Sequence, residues 1–128
     1  MADPSGIPGG TAHGLNAYAD TTDADTVPSL DRAMIATAEW ITSSAGTFLG
    51  HVKMAVSAGS RTMTLNLTDL GTGVEHHGSL EDGVRADIRF MAAVLDVDHG
   101  ELAEVMKEAL ASNGFKVKDK NINLVELR

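Results

Sequence analysis

Two runs of alternating apolar and polar residues between positions 47 and 68 predict the clearest structural element in this chain. The apolar positions in each run lie two residues apart: Val52, Met54 and Val56, then Met63, Leu65 and Leu67. Successive side chains of a β-strand point to opposite faces, so this spacing predicts two strands that share one apolar face. Gly59, in the short polar segment between the runs, suits the tight turn of a β-hairpin.

Three further segments have the apolar spacing of amphipathic helices. The first starts near Ser29 and carries Leu30, Met34, Ala38 and Ile41. The second follows a capping-box pattern that begins at Ser79, and its apolar stripe comprises Leu80, Val84, Ile88, Met91 and Leu95. The third follows Asp98 and carries Leu102, Val105, Met106, Ala109 and Leu110, with Asn113 and Gly114 as its stop.

A C-terminal strand is predicted because Phe115 and Val117 alternate with lysines. Its apolar face continues at Ile122 and Leu124, after a bulge near 119–121. Antiparallel strands covered on one side by helices make an α+β two-layer domain. We therefore expect an antiparallel sheet, formed by the hairpin 47–68 and the C-terminal strand, covered by about three helices.

The first 28 residues have a different composition from the remainder of the chain. They contain several glycines and prolines and no regular spacing of apolar residues. Residues 1–31 contain five aspartates and no lysine or arginine. Such a segment buries too little apolar surface to offset the entropy of ordering. The pattern predicts a flexible N-terminal leader over 1–28 and a single α+β domain over 29–128.

Composition and charge narrow the function classes. The net charge of −8 argues against non-specific nucleic-acid binding, which depends on neutralising phosphates. The chain has no cysteine, no signal-peptide pattern near its start and no apolar run of membrane-spanning length, so we expect a soluble, cytoplasmic protein. The basic tail from Lys107 contrasts with the acidic body, and it is either a solvated strand face or an edge that meets an acidic surface.

The candidate chemistry centres on histidines and carboxylates. Glu75, His76 and His77 are adjacent, and His99 stands before the third helix. Neutral imidazoles bind divalent transition metals, and a histidine beside a carboxylate transfers protons. If 74–77 is extended, however, the rings of His76 and His77 point to opposite faces and do not share one ion. These four residues are the candidate metal ligands of a small metal-dependent enzyme.

The glycines at 71, 73 and 78 lack the lysine and serine or threonine of a phosphate-binding loop, so we expect no nucleotide site and no cofactor. No catalytic residue is assigned from the sequence. The pattern favours a small non-enzymatic accessory or protein-interaction module that forms homo-oligomers or binds a larger protein partner, with no membrane and no nucleic acid. The alternatives are the metal-dependent enzyme and a regulatory subunit whose leader folds onto a larger enzyme.

Overall fold

The fold is a six-stranded antiparallel sheet with two helices, seen in a computed structural model that describes residues 9–118. The elements along the chain are β1 (Gly10–Ala19), α1 (Thr26–Ala45), β2 (Gly50–Ala58), β3 (Arg61–Leu67), β4 (Glu75–Gly78), β5 (Ala86–Leu95), α2 (His99–Ser112) and β6 (Lys116–Lys118). The strands lie side by side in the order β4-β3-β2-β5-β1-β6. No helix within residues 9–118 is long and apolar enough to span a membrane.

The strand order interleaves two split β-α-β units. Strand β5 lies between β1 and β2 and is antiparallel to both, so β1 and β2 are parallel to each other. Strand β1 likewise separates β5 from β6. The units β1-α1-β2 and β5-α2-β6 are therefore each split by a strand of the other, and β3 and β4 extend the sheet beyond β2.

One face of the sheet packs against both helices and forms the core. Phe90, Met54 and Leu65 lie across adjacent strands on this inner face, and each is at most 1% exposed. Leu30 of α1 and Met106 of α2 are fully buried in the same cluster. Neither helix of residues 9–118 packs on the opposite face of the sheet, here called the open face, and its side chains on the central strands β2 and β5 are exposed or half-buried.

The predicted hairpin is confirmed as β2 and β3. Ala58 pairs with Arg61 across the two-residue turn, and Gly59 takes the left-handed φ of 64° that this turn requires. The side chain of Glu81, in the loop after β4, accepts hydrogen bonds from the backbone N–H of Ser60 at 3.0 Å and from its hydroxyl at 3.1 Å. The six apolar residues predicted for one face are all buried.

The predicted helix after Ser79 is wrong, and residues 9–118 contain two helices rather than the predicted three or so. Residues 79–85 form a loop, and Ala86–Leu95 forms β5 at the centre of the sheet. The segment also has a period of two, because Ala86, Ile88 and Phe90 are buried while the residues between them are exposed. Because β5 pairs with β1 on one side and with β2 on the other, its backbone N–H and C=O groups find hydrogen-bond partners in the sheet. The spacing of apolar residues alone does not reveal these partners.

The flexible-leader prediction is wrong for residues 10–19, which form β1. This strand pairs with β5 over its whole length and with β6 near its end. Thr22 then joins the β1–α1 loop to the loop before β5, because its N–H donates to the Val84 carbonyl at 2.8 Å. The helix α1 starts at Thr26, so the boundary at residue 28 also falls inside an element. Residues 1–8 lie outside the described residues.

Local hydrogen bonds hold the end of α1 and the start of α2, and the start of α2 at Asp98 agrees with the prediction. Gly46, with φ of 86°, ends α1, and its N–H donates to the Thr42 carbonyl at 2.9 Å. Asp98 caps α2 by accepting from the N–H of Glu101 at 2.9 Å. The C-terminal strand is confirmed at Lys116–Lys118, whereas the predicted bulge and the positions 122 and 124 lie outside the described residues.

Candidate functional site

The first group of predicted site residues lies on β4, at one edge of the sheet. His76 pairs with Leu65, which belongs to the inner face, whereas His77 pairs with Thr64 on the open face. Glu75 shares the open face with His77 because alternate residues of a strand point the same way. The two rings therefore lie on opposite sides of the sheet, as alternation predicts for an extended segment.

His76 contacts the first turns of α1. Its Nε2 lies 2.7 Å from Oδ1 of Asp31, and both side chains are about a third exposed or less. The carboxylate orients the imidazole and links the edge strand to the helix layer. A histidine held by one carboxylate suits proton transfer, and it equally suits a structural link between two elements. Asp31 was not among the residues selected from the sequence.

His99 lies at the start of α2, where its partner is His13 of β1. Nδ1 of His13 is 3.2 Å from Nε2 of His99, and the rings meet edge to face with centroids 5.0 Å apart. Burial, and then the neighbouring His99, lower the pKa of His13, so the neutral imidazole is favoured there. The sequence analysis did not select His13, which lies in the segment that was predicted to be flexible.

The four predicted metal ligands therefore occupy two places. Four strand spacings separate β4 from β1, which amounts to about 19 Å between the edge histidines and the pair at His99. Within the described range, no three His, Cys, Asp or Glu side chains converge closely enough to hold a metal ion.

The open face of the sheet is a second candidate surface. Its central positions carry small side chains, so the face is shallow: Ala12, Gly14, Ala55, Ser57 and Ala93. A depression of about 260 Å³ lies among the residues of β2, β5, β1 and β6. Polar groups reach this depression from two cations, Arg89 and Lys118, and from Asp87, Asn16 and Ser57, while Ala55 forms part of its floor.

Positive charge is concentrated on the open face. The chain has ten lysines and arginines, of which Lys120 and Arg128 lie outside residues 9–118. Five of the remaining eight belong to the open face or its rim: Lys53, Arg85, Arg89, Lys116 and Lys118. This concentration stands out because the chain as a whole carries a net charge of −8.

Lys53 and Arg89 are the exposed cations of this face that no acidic side chain of residues 9–118 neutralises, and Arg89 lies on the central strand β5. Arg89 is exposed at the middle of the face and makes no hydrogen bond or ion pair with any other residue of 9–118. Its neighbours are partly neutralised, because Asp87 lies 3.2 Å from Arg85 and 3.6 Å from Lys118. Arg85 also covers the ring of Tyr18, with its guanidinium carbon 4.0 Å from the ring centroid.

An apolar region adjoins these cations on the same face. Met91, Ala93 and Leu95 of β5 are half-buried, although they point away from the core. Leu49, just before β2, is 51% exposed, and its carbonyl accepts from the N–H of Leu95 at 3.1 Å. Apolar side chains beside charged ones are the usual composition of a protein-binding surface.

The helix layer carries a surface of opposite charge. A groove of about 380 Å³ runs between α1 and α2, and Ala36, Val105 and Ala109 form its apolar walls. Glu104 and Glu108 line the same groove, and neither carboxylate is engaged by another residue of the described chain. The depression on the open face and the groove between the helices therefore carry opposite charges, contributed by Arg89 and Lys118 and by Glu104 and Glu108.

Sequence reasoning missed the open face because it assigned β5 to a helix and β1 to a leader. The signal was present in the alternation of Asp87, Arg89 and Met91 with buried residues. The basic final strand was recognised, but its neighbours across the sheet follow only from the register. Comparison of the chain with protein-family models, with curated proteins and with solved structures finds no match.

Proposed function

We propose that the protein is a non-enzymatic interaction module that self-associates head to tail. The open face of one copy would pack on the helix layer of the next, with Arg89 directed toward the groove that contains Glu104 and Glu108. The observation that carries this proposal is the exposed cation at the centre of a shallow sheet face. The cytoplasmic location expected from the sequence is part of the proposal.

The packing itself has a general physical basis. Helices cover sheet faces in layered domains, and within residues 9–118 both helices pack on the same face of this sheet. Six strands at a spacing of about 4.8 Å, with an average length of about seven residues at about 3.3 Å each, give a face of about 700 Å². That area is close to the roughly 800 Å² per partner that a standard protein interface buries.

Charge favours a head-to-tail contact over a symmetric one. Two open faces brought together would oppose Arg89 to like charges, whereas the open face and the acidic groove attract each other. A heterologous contact of this kind leaves a free open face and a free groove on every dimer, so association continues into rings or chains.

Nucleic acid is the competing ligand for a basic sheet face, and the contacts disfavour it. Proteins that bind single strands stack bases on aromatic side chains. Tyr18 is the one aromatic residue placed on the open face among residues 9–118, and Arg85 already covers its ring. Met91, Ala93 and Leu95 occupy part of the same face, and their apolar side chains offer no charge to phosphate groups.

Sedimentation velocity over a range of protein concentrations tests the proposal. We expect wild type to associate at low salt and to dissociate as salt screens the charges. Arg89→Glu and Glu108→Lys should each be monomeric, because each damages one of the two surfaces. Matched controls carry equal charge changes elsewhere, namely Arg61→Glu at the hairpin turn and Asp82→Lys in the loop before β5.

Mixing the two monomeric variants gives the decisive result. Arg89→Glu retains an intact groove and Glu108→Lys retains an intact open face, so the two variants should associate with each other when mixed, although neither associates alone. A monomeric wild type, or association that persists in both variants, would overturn the proposal. Tight binding of a single-stranded RNA oligonucleotide that Arg89→Glu abolishes would assign the face to nucleic acid instead. A dimer lost in Arg89→Glu but kept in Glu108→Lys would assign it to a symmetric contact.

A further inference from the structure

The geometry points to a binding site for a divalent transition-metal ion between His13 of β1 and His99 at the start of α2. The ligands would be Nδ1 of His13 and Nε2 of His99, which already lie 3.2 Å apart. This site is separate from the surfaces proposed for self-association, and no step of that proposal depends on it.

The separation of the two nitrogens agrees with chelation. Imidazole nitrogens bind Zn²⁺ at about 2.0–2.1 Å, so two of them at a tetrahedral angle lie about 3.3–3.4 Å apart. A metal ion therefore requires a small rotation of the rings and no movement of the backbone. The rings meet edge to face at an interplanar angle of 71°, so their faces are not stacked on each other.

The two histidines come from rigid elements, which makes the pair a preorganised one. His13 lies within a ten-residue strand that pairs with β5 along its whole length. His99 is the first residue of α2, whose start is held by the Asp98 cap and by a bond from Thr11 to the Val97 carbonyl at 2.9 Å. Little conformational freedom remains to be lost when an ion binds.

The chemistry of the donors selects the class of metal. Imidazole suits Zn²⁺, Cu²⁺ and Ni²⁺, whereas Mg²⁺ and Ca²⁺ prefer oxygen ligands. Within residues 9–118 no third side chain of the ligand types completes the site. His99 is exposed, so water or a donor from a bound molecule would fill the remaining positions. A bound ion would join β1 to α2, which are 86 residues apart in sequence.

Two titrations of metal-free protein without an affinity tag test this site. Calorimetry measures the binding of Zn²⁺, and electron paramagnetic resonance measures the binding of Cu²⁺. We expect one ion per chain and a spectrum of nitrogen ligation. His13→Gln and His99→Gln should each weaken binding by at least tenfold. His51→Gln and His77→Gln, which alter histidines elsewhere on the sheet, should bind as wild type does. Circular dichroism checks that every variant is folded.

Thermal melting provides an independent measurement, because an ion that binds only the folded chain raises its melting temperature. Zn²⁺ should raise the melting temperature of wild type and of His77→Gln, and it should leave His13→Gln unchanged. Binding that survives in both His13→Gln and His99→Gln, or the absence of binding at equimolar ion, would overturn the assignment. Neither result would alter the expected sedimentation behaviour of Arg89→Glu.

Discussion

Replacing Phe90 by alanine should destabilise the protein far more than replacing its neighbour Met91. Phe90 is fully buried at the centre of the inner face, between Leu15 of β1 and Met54 of β2. Met91 points to the open face and is half-buried. The helical pattern in the sequence makes the opposite prediction, because it places Met91 on the apolar stripe and leaves Phe90 off it.

The expected magnitudes follow from burial. A fully buried phenylalanine removes about 150–250 Å² from water, worth about 4–6 kcal/mol at 25 cal/mol per Å². Alanine retains part of that contribution and leaves a cavity, so Phe90→Ala should cost about 3–5 kcal/mol. Met91→Ala should cost less than about 1 kcal/mol, because its side chain keeps much of its contact with water.

Urea denaturation measures both changes, with the fluorescence of Trp40 as the signal for unfolding. At a slope of about 2 kcal/mol per M, Phe90→Ala lowers the midpoint by about 2 M, and Met91→Ala lowers it by less than about 0.5 M. Phe90→Leu, at about 1 kcal/mol, keeps the comparison possible if the alanine variant fails to fold. Equal losses for the two alanine variants, or a larger loss for Met91→Ala, would refute the strand register.

The remaining predictions concern a close backbone contact, a helix cap and an acidic side chain. Gly50→Ala should lower the unfolding free energy by about 3 kcal/mol or more in urea denaturation, because the new Cβ would lie 2.1 Å from a carbonyl oxygen of β5. Gly73→Ala, where the new Cβ would meet open space, is the control and should lower it by about 1 kcal/mol. Asp98→Ala should lower the unfolding free energy by about 1 kcal/mol, and an unchanged melting temperature would contradict its capping role. Hydrogen bonds from Ser60 lower the pKa of Glu81, so the charged form stabilises the fold above pH 4.5 and this contribution is lost as the pH falls through the lowered pKa. The stability difference between wild type and Glu81→Gln should therefore shrink on acidification below pH 4.5, and a constant difference would contradict this assignment.

The hairpin and the cap of α2 follow from the sequence because their determinants are local. Alternation over seven to nine residues specifies a strand, and Gly59 specifies the turn between two of them. An aspartate before a helical stripe specifies a start without reference to any other part of the chain. Each of these signals lies within a dozen residues, and the structure agrees with each.

Strands β1 and β5 needed the tertiary structure because their local signals are weak or ambiguous. The segment 86–95 satisfies a period of two as well as a helical period, and propensity alone does not separate the two. β1 has few large apolar residues, and Ala17 is its one fully buried apolar side chain. Pairing with β5 on one side and β6 on the other supplies the backbone hydrogen bonds that stabilise it.

The candidate sites divide in the same way. The sequence by itself determined the residue types that are present, the absence of cysteine, the acidic net charge and the basic final strand. Only the tertiary structure decided that His13 meets His99, that His76 meets Asp31, and that Arg89 lies beside Lys118 on one open face. The physical reason is that these partners are tens of residues apart in the chain, and strand register rather than local pattern brings them together.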